Sequence, residues 1–485
     1  MGPTLPMDGQ RWRVLMASIS SAMNLVSQAI DANQAALNIV SNNVANANTD
    51  GYTEETAQWQ ENSSVTISGI SYGQGATVTG AVSQRDLVLN ERLNQQQQLY
   101  SASSTRLTAL DAVQSLFTPA TSTSSTSGDI GTDLSSFFSS FSSLEASPTS
   151  SALRESVLSS ATTLASAISS TASSLETQQS TLNQDASGVV TQINTLTTAI
   201  AGLNQQIASA SPTGDAGTLE DQRQLDLTNL SKLVGFSQVS TAHNGIELTT
   251  TSGQVLVSGS QSTALTTGTS AGVTHIYLGG TDVTTDLTSG GGELGGYLTA
   301  RDVDVAGALS QLDTLAYNVS TQVNTLNNSG QDLNGTTSNS GDIFYQPTAV
   351  SGSAATMAVV MTDPSNIAAA SSTAGTGDNT NAVAMADLAN QTIVSGYTPS
   401  NYYSNFVSTL GSTVTSVQTA NTAQDASLTQ LQTQIDSYSG VNLNDEASSL
   451  TTMERSYQAA SQVYSILNTL MASAINLGTE TTVSA

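Results

Sequence analysis

The chain has no cysteine, a single lysine (Lys232), two histidines (His243 and His275) and only eight prolines in 485 residues. Without thiols there is no disulfide scaffold, no thiolate nucleophile and no cysteine metal site, which fits an extracellular protein that uses no cross-links. Both histidines stand in β-like runs without His, Asp or Glu partners at the spacing that metal binding or general-base chemistry needs. They read as solvated strand or turn residues. Aromatics make up 5% and apolar residues 38% of the chain, too little for one thick core, so a long thin molecule with narrow seams is expected. Ten basic residues face 37 acidic ones, a net charge of −27; phosphate backbones would repel such a chain, which excludes nucleic acid as a partner. No apolar run approaches the roughly 18 residues of a membrane span, so insertion into a membrane is not expected. Gly290–Gly296 is glycine-rich, but no apolar strand precedes it and no Lys-Ser/Thr follows, so it is a linker rather than a phosphate loop. Glu220, Asp221 and Asp226 lie on a predicted helix and read as a solvated face. Nothing here builds an active site: no enzyme, cofactor or metal is expected.

What the chain does have is a matched pair of seams at its ends. Ile19, Met23, Val26, Ile30, Leu37, Val40 and Val44 follow alternating four- and three-residue steps, with Asn33 at the one polar step. Near the other end Leu450, Met453, Tyr457, Ala460, Tyr464, Leu467, Met471 and Ala474 do the same. Such spacing puts all members on one side of a helix, a seam that another helix covers. Each runs roughly 25 residues, or about 40 Å at 1.5 Å per residue. Ala22, Ala29, Ala32 and Ala36 add a second stripe beside the first, more apolar perimeter than one partner covers. Two such seams at opposite ends of one chain invite pairing with each other and with neighbouring copies; intermolecular contact is favoured for them, with ends that stay unfolded until sister copies cover them.

Between the ends the period changes twice. Residues 1–15 carry no pattern and are read as a disordered extension; Ser18, Ser20, Ser21 and Asn24 break the apolar run after Arg11 and Arg13, so no cleaved export signal is read there. The first helix should stop between Asn46 and Gly51, in an Asn/Gly-rich run that tolerates left-handed backbone. Extended segments follow over 52–84. Helical spacing returns at 89–117, then, after a Ser/Thr-rich loop, at 151–177, 180–208 and 219–233. From Gly235 the period becomes two, with a hairpin signal at Asn244-Gly245. Helix resumes over 293–328, and a last pair is predicted at 402–438 and 443–477. The expected fold is mainly α with a β insertion. Residues 16–84 with 441–485 would form a terminal-helix coiled-coil assembly domain. Residues 85–234, 291–330 and 385–440 would form an elongated helical bundle. A small outer β domain over 235–290, with parts of 331–384 as candidate additions, would sit at the tip of the rod.

The run Ser41-Asn42-Asn43-Val44-Ala45-Asn46-Ala47-Asn48-Thr49-Asp50-Gly51-Tyr52 resembles the N-terminal signature of bacterial flagellar rod, hook and hook-associated proteins. Gly440-Val441-Asn442-Leu443-Asn444-Asp445-Glu446-Ala447, followed by Tyr457-Gln458-Ala459-Ala460, is similar to the matching end motif. The interior strings Leu219–Arg223, Leu230–Gly235 and Gly295–Asp302 resemble hook-associated members rather than hook or rod proteins. The resemblance runs, with gaps, from Met16 to about Leu477. Glu54-Glu55 depart from it, where relatives often carry a base, and 329–384 is too short for the further outer domain some members have. The resemblance implies a junction protein between hook and filament, forming a ring of identical subunits. Its partners would be the hook protein, an adjacent junction or filament protein, and an export chaperone on the C-terminal helix. Export through the flagellar type III apparatus to the extracellular flagellum is implied too. Another axial protein, or a secreted adhesin using the β region, are the alternatives.

Overall fold

The computed structural model describes residues 9–482 apart from 68–69, 118–128, 211–215, 271–272 and 338–339. In chain order the elements are α1 (Gly9–Asn46), β1 (Glu55–Glu61), β2 (Val65–Ile67), β3 (Ile70–Tyr72), β4 (Ala76–Ser83), α2 (Leu87–Ser115), α3 (Ile130–Glu145), α4 (Ser151–Ala210) and α5 (Thr218–Leu233). The strands β5 (Ser237–Ser240), β6 (Ile246–Thr249), β7 (Val255–Ser258), β8 (Gln261–Ser262), β9 (Leu265–Ser270), β10 (Val273–Leu278) and β11 (Thr281–Asp282) follow. Then come α6 (Thr284–Gly290), α7 (Gly292–Thr299), a π-helical turn (Ala300–Val305), α8 (Ala306–Ser329), β12 (Gly330–Gln331), β13 (Ala370–Ser371), α9 (Thr380–Asp387), α10 (Pro399–Ser439) and α11 (Leu443–Thr482).

The long helices start where side chains cap them. Asp86 accepts from Val88 N and Leu89 N at the head of α2, Asp129 from Gly131 N at α3, and Thr398 from Asn401 N at α10, whose first residue is Pro399. α4 is one helix where two were expected: Gln178-Gln179-Ser180 contains no breaker, so its 60 residues run on for about 90 Å. α1 likewise begins at Gly9, not Met16, because nothing after that glycine interrupts a helix; the rest of the expected extension, 1–8, lies outside the described residues.

The rod has two cores. The first joins the C-terminal part of α2, α3, the N-terminal half of α4, α8 and the N-terminal part of α10. α3 was missed in the sequence, although Ile130, Leu134, Phe137, Phe141 and Leu144 all lie on its buried face. Phe137 is fully buried and touches Phe138, Phe141 and Phe344 with ring centroids 5.2–5.4 Å apart. The segment 331–384 belongs to this core and not to the β domain as offered: Ile343, Phe344, Ala354, Met357 and Ile367 are buried in it. It closes the far end of the rod with irregular backbone whose polar groups are met by asparagines. Asn324 donates to Phe344 O (2.8 Å) and accepts from Ile343 N and Phe344 N; Asn327 donates to Gly341 O and accepts from Ala368 N. Arg154, 1% exposed, donates to Pro148 O and Ile367 O at the same end.

The second core holds the β domain, and here the expected placement fails. An antiparallel four-stranded sheet (β5-β6-β7-β8) and a three-stranded sheet (β11-β10-β9) pack against Ala186–Ala201 of α4 and Leu227–Leu233 of α5. The domain lies on the flank of the rod toward the terminal helices, because the apolar stripe that α4 leaves open is there. Three asparagines on α4 fix it. Asn204 donates to Ile246 O and Gly259 O and accepts from Ile246 N, Asn194 exchanges two bonds with the Leu265 backbone, and Asn183 accepts from Arg301. Arg301, 1% exposed, also donates to Thr274 O (2.7 Å) and grips Asp302 with two bonds, tying β10 to the π turn.

Candidate assembly interface

α1 and α11 lie antiparallel along each other. The two seams therefore cover one another within the chain, the pairing with each other that their matched spacing invites. Their length and spacing match, and an intramolecular partner is always present at high effective concentration. Val40 and Ala474 are buried, and Ile19, Met23, Val26, Ile30, Leu37, Leu450, Met453, Tyr457, Ala460, Leu467 and Met471 are half-buried; Tyr464 is 38% and Val44 44% exposed. The alanine stripe has an internal partner as well. The β1–β4 hairpin packs on α1, with Leu25 against Gly75 and Gln28 accepting from Asn62, while Ala32 and Ala36 are 4% and 1% exposed. α1 is thus covered on two sides by its own chain, and α11 on one.

The N-terminal signature is the joint of this unit. Asn43, 1% exposed, uses both its donors and both its acceptor sites. Its Nδ2 donates to Glu446 Oε1 (2.7 Å) and Glu55 O (2.8 Å); its Oδ1 accepts from Tyr52 Oη (2.7 Å) and Glu55 N (3.0 Å). One amide side chain therefore joins the end of α1, the turn, β1 and the first turn of α11, across 403 residues of sequence. No other short side chain supplies two donors and two acceptors in one plane. α1 ends at Asn46, within the expected window, where Asn46 bonds Asn42 and accepts from Thr49. Gly51 takes φ 79°, which side chains disfavour, with Leu225 of α5 in van der Waals reach of a Cβ there. Ser41, Asn42, Ala45 and Asn48 lie exposed on the outer side of the turn.

At the other end motif Gly440 is required for a different reason: a Cβ there would sit 2.4 Å from Asp436 O. Val441 is half-buried, Leu443 is 52% exposed, and Asn442 accepts from Asn444 N and, through its carbonyl, from Glu446 N. Burial and the carboxylates of Glu55, Asp221, Glu446 and Glu54 push the Tyr52 phenol far above its ordinary range, so it stays a donor to Asn43.

A clamp that the sequence reading did not find fastens this unit to the rod. Asp221, taken there for a solvated acid, is 7% exposed; it accepts from Thr53 Oγ1 (2.9 Å), Thr53 N (3.2 Å) and Arg85 Nη2 (2.6 Å). Arg85 also pairs with Glu220. Glu54 and Glu55 follow Tyr52-Thr53, and Arg85, after the end of β4, brings positive charge to this corner. Two residues further along α5, Arg223 donates to Asn204 Oδ1 (3.0 Å) and Asn244 O (2.6 Å).

Glu54 bridges through its backbone, donating to Ser439 O and accepting from Gln84 N (both 2.9 Å). Its carboxyl is held above the ordinary carboxylate range by burial first, then by Glu446 and Asp445. A carboxyl with a raised folded pKa costs stability at neutral pH, and this cost disappears as pH falls through the folded value toward the unfolded one. Lowering pH from about 7 to about 5 should therefore stabilise the native chain relative to Glu54→Gln. Melting curves of both proteins across that window check the sign; a constant difference overturns it.

Comparison with known proteins agrees with this architecture. The family described as flagellar hook-associated protein FlgK helical domain matches residues 120–344, and the flagella basal body rod protein family matches 20–53, the N-terminal helix and its signature. Flagellar hook-associated protein 1 of Salmonella typhimurium is 27% identical over 246 residues, 50% of this chain and 43% of that protein. Over these segments the chain is similar to flagellar hook-associated proteins. The Escherichia coli K12 member is 36% identical over 131 residues, 26% of this chain and 24% of the relative. These matches span less than half of the curated relatives' length. Among solved structures, the flagellar hook junction protein FlgK from Burkholderia pseudomallei superposes with a TM-score of 0.62 at 18% identity, covering 72% of this chain and all of that one, a likeness of fold. Asn43, Gly51 and Tyr52, which close the terminal unit, fall within the segment that the rod family's model matches.

Proposed function

We propose that this chain is a structural subunit of the bacterial flagellum that joins hook to filament, with α1 and α11 as its assembly element. The observation that carries the reading is the uneven cover of the terminal pair. α1 is packed by α11 and by the hairpin, while α11 presents Val463, Ile466 and Leu470, 45%, 60% and 51% exposed, in a row one and two turns apart. Contiguous apolar surface of this kind marks an interaction site. Neighbouring copies would cover this strip in a ring, so the contact surface lies beside the seam read from heptad spacing. The same strip suits an export chaperone before assembly, and the hook protein and an adjacent junction or filament protein would flank the ring. The extracellular flagellum, reached through the flagellar type III apparatus, is the proposed location. No helix among the described residues is long and apolar enough to cross a membrane.

Ile466→Asp should leave the melting of the monomer unchanged and abolish ring formation, seen by sedimentation and electron microscopy. Rings formed normally by this variant would remove α11 from the interface. At the cellular level, deleting the gene should leave hooks without filaments and shed filament protein into the medium. An adhesin, in contrast, would lose surface binding on deletion of 235–290 and leave flagella intact.

A further inference from the structure

We propose that the terminal helix pair is a methionine oxidation site, taking a peroxide as substrate, and that sulfoxide formation there loosens α11 from α1. The chain has no thiol, so methionine is its only oxidisable sulfur. Its methionines fall into two groups. Met357, Met361 and Met385 are 3%, 8% and 0% exposed in the rod core. Met16 and Met23 on α1, and Met453 and Met471 on α11, are half-buried in the terminal pair. Met1 and Met7 lie outside the described residues. The Asn43–Glu446 bond fixes the antiparallel register of the pair. Counting outward from it brings Met16 level with Met471 and Ala474, Met23 level with Tyr464 and Leu467, and Leu37 level with Met453. All four thioethers therefore line one two-helix contact, reachable by a small oxidant from its open edges.

The step balances without further reagents. The thioether sulfur attacks one peroxide oxygen, the O–O bond breaks, the S–O bond forms, and the second oxygen leaves as water after proton transfer. Sulfur is oxidised by two electrons and the peroxide reduced. The product is polar, bulkier and chiral at sulfur, and it sits in a seam lined by Ile19, Val26, Leu467 and Ala474 with few donors to meet its oxygen. The core methionines are shielded by packing, so the rod should keep its fold while the pair opens.

The test uses the full chain with hydrogen peroxide as the oxidant. Peptide mass spectrometry should show one added oxygen at Met16, Met23, Met453 and Met471 before any at Met357, Met361 or Met385. Cleavage of α11 by a protease should then accelerate by about tenfold or more, while the rod resists as before. A variant with all four terminal methionines replaced by leucine should fold, as leucine is close in volume, and should show no peroxide-dependent acceleration. Methionine sulfoxide reductases acting on both epimers should restore resistance in the native chain. Oxidation of the core methionines first, or an unchanged peroxide response in the leucine variant, overturns the proposal. Because protease cleavage is read on the single chain, the result does not depend on whether the protein forms a junction ring.

Discussion

Asn43→Ala is expected to destabilise the terminal unit by about 3–5 kcal/mol, since each buried polar group stripped of its partner costs about 1–3 kcal/mol. Four groups lose a hydrogen bond at once: Glu446 Oε1, Tyr52 Oη, which keeps a longer bond from Asn42, and the backbone N and O of Glu55. Part of this loss is recovered where water reaches Glu55 and Tyr52, which are half-buried, and that sets the effect below the full sum. Asn43→Asp should be no better. It retains the two acceptor sites, loses both donors, and places a carboxylate against Glu446, which is 5% exposed. The control is Asn42→Ala on the exposed side of the turn, where a change within about 1 kcal/mol is expected. Hydrogen exchange of the first turns of α11 reads the effect locally, since α11 is anchored at its start through Glu446. If α11 exchanges at native rates in Asn43→Ala, the hub has no such role.

Breaking the clamp at Asp221 should be nearly as costly. Asp221→Ala takes a carboxylate from the Arg85 guanidinium, whose side chain is 7% exposed, and strips two bonds from buried Thr53. Removing one member of a buried ion pair typically costs about 3–5 kcal/mol, because the remaining charge stays desolvated. Asp221→Asn retains an oxygen for Thr53 or Arg85 and should lose less. The Arg85→Ala, Asp221→Ala double variant should be clearly less unstable than the sum of the singles, by about 1–3 kcal/mol of coupling. The unfolding should be local: the terminal helices would detach while the first rod core, built around Phe137, melts as before. Strict additivity in that cycle would show that the two residues stabilise the chain separately.

Much of this molecule was legible in its one-dimensional pattern. The stripes on α1, α4, α8 and α11 follow from heptad spacing, the stop at Asn46 from the Asn/Gly run, and the β segment from the change of period at Gly235. The misses share one cause. α3 was passed over since its phenylalanines follow a Ser/Thr-rich loop, and the loop's composition hid the short helix. The closing segment 331–384 has short apolar runs at 343–345 and 358–361 but no sustained period; asparagines at 324 and 327, not repeating hydrogen bonds, hold much of its backbone, so its sequence does not say which core it joins. Asp221 has the ordinary appearance of a helix-surface acid, and only the arrival of Thr53 and Arg85 makes it a buried one.

By itself the sequence determined most of the helical and extended stretches, that no thiol or metal chemistry is available from cysteine, and that two long apolar edges lie at opposite ends of the chain. Those properties are local, fixed by the period of side chains along a helix or strand and by the identity of the residue. The tertiary structure decided who covers whom: that the two edges meet within one chain, that the hairpin takes the alanine stripe, that the β domain rides on the flank of α4, and that one asparagine joins segments 403 residues apart. Such choices depend on contacts between distant segments, and periodicity says that a face must be covered without saying by which one.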